Sequence, residues 1–126
     1  MTHLSVSILA VDDDPALLQL LKQYLTGIGH SLVACGSAQE ALALFRANPQ
    51  GYSLVLVDLT MPDMSGRELL FELLNLNPGL RVLLLSGYPF DLSGLPDRVR
   101  PQVGFLQKPF LPKALAEAIQ DLVGGR

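Results

Sequence analysis

The feature that most constrains this chain is the stretch at residues 54–66, Leu-Val-Leu-Val-Asp-Leu-Thr-Met-Pro-Asp-Met-Ser-Gly. Its first four residues are apolar without alternation, which suits a strand covered on both faces rather than one with a solvated side. The run stops at Asp58 and continues through Met61-Pro62 to Gly66, so the strand delivers one carboxylate to a loop. Strands covered on both faces belong to parallel α/β sheets, whose ligands bind beyond the carboxyl ends of the strands. The chemistry is therefore expected to centre on Asp58.

The rest of the chain repeats this pattern. Residues 6–11 read as a first strand, closed by Asp12-Asp13-Asp14-Pro15, in which Asp14 is an N-cap and Pro15 a first helical residue. Leu17, Leu18, Leu21, Leu25 and Ile28 then recur at helical spacing, with Gly27 and Gly29 as stop signals. Residues 30–35 form a second strand. Ser37-Ala38-Gln39-Glu40 spells a capping box for a helix through Phe45, ending before Asn48-Pro49. The third strand, residues 52–57, leads to Asp58; a second capping box, Ser65 to Glu68, opens a helix burying Leu69, Leu70, Leu73 and Leu74. Residues 80–85 form a strand ending at Ser86-Gly87, and residues 103–107 one ending at Lys108-Pro109. Pro112 starts a last helix whose buried face is Leu115, Ala118, Ile119, Leu122 and Val123, before Gly124-Gly125.

Between residues 88 and 101, Pro89, Gly94, Pro96 and Pro101 interrupt what should be a fourth helix. That segment is predicted to be short and irregular, or mostly loop, with Phe90, Leu92, Leu95 and Val99 still packing on the sheet. Strands alternating with helices imply parallel pairing through right-handed crossovers. Five such units in 126 residues suit an open doubly wound sheet with helices on both faces, since a closed barrel usually takes about 250 residues. One domain is expected, with its core at about residues 6–123.

Composition excludes several function classes. The formal net charge is −3 and no window concentrates Lys and Arg, so direct nucleic-acid binding is not expected. A single cysteine, Cys35, rules out an internal disulfide and a Cys-based metal cluster. His3 and His30 lack ligand-spaced partners and are assigned no metal role. No signal peptide is evident, and no segment reaches the roughly 20 apolar residues of a membrane span, so a cytoplasmic location without membrane contact is expected.

The strand tips collect Asp12 and Asp13, then Asp58, Ser86 and Lys108. Three carboxylates converging on one crevice repel one another and call for a cation. Mg²⁺, or Mn²⁺, suits all-oxygen ligands and keeps positions open for water and phosphate oxygens. Asp13 and Asp58 are expected to supply two ligands and the Thr60 backbone carbonyl a third, with Lys108 as a second positive charge. A metal, an ammonium, a hydroxyl and a free carboxylate suit phosphoryl transfer onto Asp58, which depends on positioning and charge neutralisation. Asp14 and Asp63, beside turns, read instead as caps.

These residues resemble the receiver domains of two-component response regulators, over residues 8–122. The resemblance rests on Val11-Asp12-Asp13-Asp14, on residues 58–66, on Leu85-Ser86-Gly87 and on Phe105-Leu106-Gln107-Lys108-Pro109-Phe110. It implies a flavodoxin-like five-stranded sheet of order 2-1-3-4-5, and a phosphoryl group passing to Asp58 from the phosphohistidine of a sensor histidine kinase or histidine phosphotransfer protein. By the same resemblance Asp12 and Asp13 are the acidic pair at the metal, Asp12 acting through water, and Lys108 contacts the phosphoryl group. Ser86 and an inward-turning Phe105 form the switch, and Thr60 and Tyr88 tune dephosphorylation. The Lys108-Pro109 bond is often cis in such domains. The switched surface is the fourth helix, fifth strand and fifth helix, facing a downstream protein target. The Leu-Ser-Gly-Tyr and Phe-Leu-Gln-Lys-Pro-Phe stretches look similar to receivers attached to hybrid sensor histidine kinases.

Two alternatives have distinct signatures. A haloacid-dehalogenase-type phosphatase would use Asp12 as nucleophile, but that pattern wants Thr or Val two residues past the second Asp, where Ala16 stands. A degenerate receiver acting as a phosphorylation-independent binding module would lack Mg²⁺-dependent phosphate binding.

Overall fold

A computed structural model of the protein describes residues 5–124, so His3 and Gly125 lie outside the described residues. The elements run β1 (Ser7–Val11), α1 (Pro15–Gly27), β2 (Ser31–Cys35), α2 (Ala38–Ala47), β3 (Leu54–Asp58), α3 (Gly66–Leu76), β4 (Arg81–Ser86), β5 (Val103–Gln107) and α4 (Pro112–Val123). The strands form one sheet in the order β2-β1-β3-β4-β5, and every pairing is parallel. All five residues of β3 are buried, as its unbroken apolar run requires, whereas the edge strand β2 buries Leu32 and Cys35 and exposes Ser31 and Val33.

Successive strand residues feed opposite layers. Ile8, Ala10, Leu54, Leu56, Leu83 and Leu85 pack with Leu21 and Leu25 of α1 and Leu115 and Ile119 of α4. Leu9, Val11, Val55, Val57, Val82 and Leu84 face the other way, against Leu42 and Phe45 of α2 and Leu70 and Leu73 of α3. This is the doubly wound arrangement, in which all strands point their carboxyl ends the same way.

Helix boundaries follow the capping chemistry. Asp14 Oδ1 accepts from Ala16 N–H at 3.0 Å and Leu17 N–H at 3.3 Å, with Pro15 in the first turn of α1. Past that helix Gly29 adopts φ +105°, a conformation other residues rarely take. The box at Ser65 and Glu68 closes in both directions. The one at Ser37 is only half formed: Ser37 Oγ accepts from Glu40 N–H at 3.1 Å, but the Glu40 carboxylate reaches back to Gly36 N–H at 3.1 Å.

The fourth crossover contains no α-helix. Two single 3₁₀ turns, Leu92–Gly94 and Arg100–Gln102, occupy it, as the proline spacing predicts. Buried Leu95 and Val99 anchor it to the α2/α3 layer, and the Gln102 amide donates to the carbonyls of Pro78 and Leu80, both at 2.7 Å. Some strand limits differ from expectation. His30 stays outside β2, buried, with its Nδ1 accepting Val6 N–H at 3.1 Å. Tyr52 precedes β3 and stacks on Phe45, ring centroids 6.0 Å apart, while Asp58 and Ser86 fall inside their strands.

Candidate functional site

The site is built where ladders run past the strand ends. Asp12 N–H donates to the Cys35 carbonyl at 3.1 Å, Leu59 N–H to Leu85 at 2.9 Å and Lys108 N–H to Ser86 at 2.7 Å. Backbone pairing thus continues one residue beyond β1, β3 and β5. Asp12, Asp58 and Ser86 are pinned in position, and all three are nearly inaccessible, at 1%, 2% and 3% exposure. Asp12 Oδ1 also accepts Asp14 N–H at 2.9 Å, a tight turn that leaves Asp13 exposed.

Lys108 joins the ends of the assembly, its Nζ lying 2.8 Å from Asp12 Oδ2 and 3.7 Å from Asp58 Oδ1. The peptide bond from Lys108 to Pro109 is cis. Asp58 Oδ1 accepts both the Thr60 N–H, at 3.2 Å, and the Thr60 hydroxyl, at 3.1 Å. Among the described residues no hydrogen bond reaches its Oδ2. Ser86 Oγ accepts Tyr88 N–H at 3.0 Å, so its hydroxyl faces its own loop and no hydrogen bond joins it to Asp58. Tyr88 is 73% exposed. Phe105 is half-buried and its ring lies 6.2 Å from that of Phe90, tilted by 41°.

The electrostatics follow from burial against charge. Burial pushes the Asp12 carboxyl above its ordinary range; the Lys108 hydrogen bond opposes this and the Asp58 charge adds to it. Burial pulls Lys108 down, but the hydrogen bond to Asp12 and the two carboxylate charges outweigh it and leave the ammonium above its ordinary value. One oxygen from each of Asp12, Asp13 and Asp58 lies within 4.8 Å of the others. Three hard oxygen donors so close, with one exposed edge, fit Mg²⁺ or Mn²⁺.

The structure brings together Asp12, Asp13, Asp58, Thr60 and Lys108, with Ser86 on the adjacent strand end. Two features have no local sequence signal. The Lys108–Asp12 pair joins residues 96 apart. Asp63, expected to be a cap beside its own turn, caps a different element: its Oδ1 accepts Ala38 N–H at 3.2 Å and its Oδ2 accepts Gln39 N–H at 3.0 Å, both at the start of α2.

Residues 8–120 match the family model described as the response regulator receiver domain. The transcriptional regulatory protein GlrR of Escherichia coli is 38% identical over 125 residues, covering 96% of this chain and 27% of that protein. The two-component response regulator ARR2 of Arabidopsis thaliana is 34% identical over 119 residues, covering 94% of this chain and 18% of that one. The chain thus spans well under a third of the length of these curated relatives. Among solved structures, a CheY-like response regulator receiver domain protein from Methanospirillum hungatei superposes with a TM-score of 0.80 at 32% identity, covering 96% of this chain and 95% of that one. A receiver domain protein from Clostridium thermocellum gives 0.82 at 29% identity, with the same coverage of both chains.

Proposed function

This chain belongs to the response regulator receiver domain family, and from that premise we propose that Asp58 is the phosphoacceptor of a two-component phosphorelay. One observation carries this assignment: Asp58 sits almost wholly buried at the tip of β3, inside a carboxylate cluster spanning 4.8 Å, with the Lys108 ammonium 3.7 Å from its Oδ1. A carboxylate is a weak nucleophile and a phosphoryl donor carries negative oxygens, so the reaction depends on neutralising charge where the two meet.

Thr60 engages Oδ1 through two donors, which leaves Oδ2 to attack phosphorus. The new O–P bond forms as the P–N bond of the donor phosphohistidine breaks, and the imidazole leaves with the electron pair. Lys108 turns from Asp12 towards the incoming phosphoryl oxygens. Asp13 and Asp58 would hold Mg²⁺ or Mn²⁺, with the Thr60 backbone carbonyl, and with Asp12 through water. When bound, the ion supplies a compact positive charge against the same oxygens. Ser86 then exchanges its bond to Tyr88 N–H for one to the phosphoryl group, and Phe105 turns inward. Thr60 and Tyr88, each two residues past a strand-tip group, tune how readily water removes the phosphoryl group, so the domain assists both its own phosphorylation and its dephosphorylation.

Residues 6–123 act as one receiver domain. Its donor is a sensor histidine kinase or histidine phosphotransfer protein in the cytoplasm, and its output passes through the fourth crossover, β5 and α4 to a protein target. Among the described residues no helix is long and apolar enough to cross a membrane. Intact-protein mass after incubation with acetyl phosphate and Mg²⁺ tests the assignment, with beryllofluoride binding as a second probe for a short-lived adduct. Wild type should gain one phosphoryl mass only with Mg²⁺, and Asp58→Asn should gain none. Absence of both adduct and beryllofluoride binding in wild type would sink the assignment.

A further inference from the structure

Asp63 is exposed and lies five residues past the proposed phosphoacceptor, yet both of its carboxylate oxygens are spent on another element. They accept the N–H groups of Ala38 and Gln39 at 3.2 and 3.0 Å, and these bonds hold the carboxylate below its ordinary range. The helix it caps already has a cap of its own, since Ser37 Oγ takes Glu40 N–H. What Asp63 adds is a fastening between the turn leading into α2 and the loop leaving β3.

We infer that Asp63 is a positioning residue for the divalent metal site, fixing the β3–α3 loop relative to the Asp12-Asp13 turn by clipping it to the N-terminus of α2. This rests on the metal site proposed above. The clip completes a ring of contacts around that site. Asp12 is tied to the end of β2 through the Cys35 carbonyl, at 3.1 Å. The turn after β2 is held by Glu40 on Gly36 N–H, at 3.1 Å. Asp63 joins that turn to the β3–α3 loop, and the loop returns to Asp58 through the two Thr60 bonds. At its base the loop is closed by Gly66 N–H on the Leu59 carbonyl, at 3.2 Å. The sheet alone sets the spacing of Asp12 and Asp58, but Thr60 lies past the sheet, and its carbonyl keeps its place only as well as its loop does. Asp63 holds the far side of that loop. Partners that orient metal ligands typically contribute tenfold or more to affinity.

The test is Mg²⁺ affinity by titration calorimetry on the full chain, with thermal unfolding of the same samples, for wild type, Asp63→Ala, Asp63→Asn and Ser37→Ala. Both alanine variants remove a cap from α2 and should lower Tm, but only Asp63→Ala cuts the link to the loop. Its Kd for Mg²⁺ should rise roughly tenfold, while Ser37→Ala keeps the wild-type value. Asp63→Asn, which retains one acceptor oxygen, should fall between and serves in place of the alanine variant if that one does not fold. A wild-type Kd in the Asp63 variants, or an equal loss in Ser37→Ala, overturns the inference while leaving the metal site intact. A wild-type chain that binds no Mg²⁺ overturns the metal site itself, and this inference with it.

Discussion

At the scale of single residues, the Lys108 ammonium offsets two buried carboxylates at once, and it does so unequally, at 2.8 Å from Asp12 and 3.7 Å from Asp58. The compensation at Asp12 is incomplete, because its carboxyl remains above the ordinary range despite that partner. A raised carboxyl pKa means that ionising Asp12 costs stability: the cost is fully present above the folded pKa and relieved as pH falls through it towards the unfolded value of 3.8. Lys108 runs the other way, its contribution complete below 10.5 and lost as pH rises through its raised value. Asp12→Asn should therefore stabilise the metal-free protein at pH 7, by about 1 kcal/mol, with the difference closing on acidification. Urea unfolding with EDTA, at pH 7 and near pH 4, measures both, and a variant less stable than wild type at pH 7 contradicts the account. Mg²⁺ should shrink the advantage, as the proposed role of Asp12 at the metal through water requires.

At the scale of elements, what the sequence exposes is whatever chemistry is local. The apolar run of β3, the N-cap at Asp14, the Ser65 box and the proline-broken fourth crossover all act within a few residues, so each is legible in the order of residues alone. Contacts closing over long separations are not. Lys108 reaching Asp12 and Asp63 crossing to α2 depend on where whole elements come to rest. Gly66 shows both kinds of constraint. In the sequence it reads only as a member of the box that opens α3, but a Cβ there would lie 2.6 Å from Leu59 Cα and 3.1 Å from the Asp58 carbonyl oxygen. Backbone cannot yield as a flexible side chain would, so α3 must back away from the strand tip. Gly66→Ala should cost about 2 kcal/mol and also weaken Mg²⁺ binding, because the loop that carries Thr60 closes on the displaced junction through Gly66 N–H and the Leu59 carbonyl. Gly87→Ala, whose added carbon meets nothing within 4 Å, is the matched control in the same denaturation and titration series. Equal stability of the two variants would show that the β3–α3 junction has room this geometry denies it.

At the scale of the whole molecule, the site and the fold are the same object seen from two ends. Its carboxylates and ammonium come from β1, β3 and β5, and the strands that align them carry both apolar layers on their faces. A partly unfolded chain that lost either layer would also lose the register between Asp12, Asp58 and Lys108, so binding at the tips should select the fully folded state alone. Linkage then makes a quantitative demand: at free Mg²⁺ tenfold above its Kd, stability should rise by about 1.4 kcal/mol. For a chain of 126 residues that amounts to about 5 °C in Tm. Far-UV circular dichroism, which follows the helices and strands, and tyrosine fluorescence, which follows packing such as Tyr52 on Phe45, should shift together in one transition and return together on adding EDTA. Asp13→Asn should abolish the shift while leaving the metal-free Tm nearly unchanged, because Asp13 is exposed and its charge is already solvated. Were Mg²⁺ to move one probe and not the other, the site would belong to a part of the molecule that melts by itself, and the single sheet could not be what couples the strand tips to the rest of the fold.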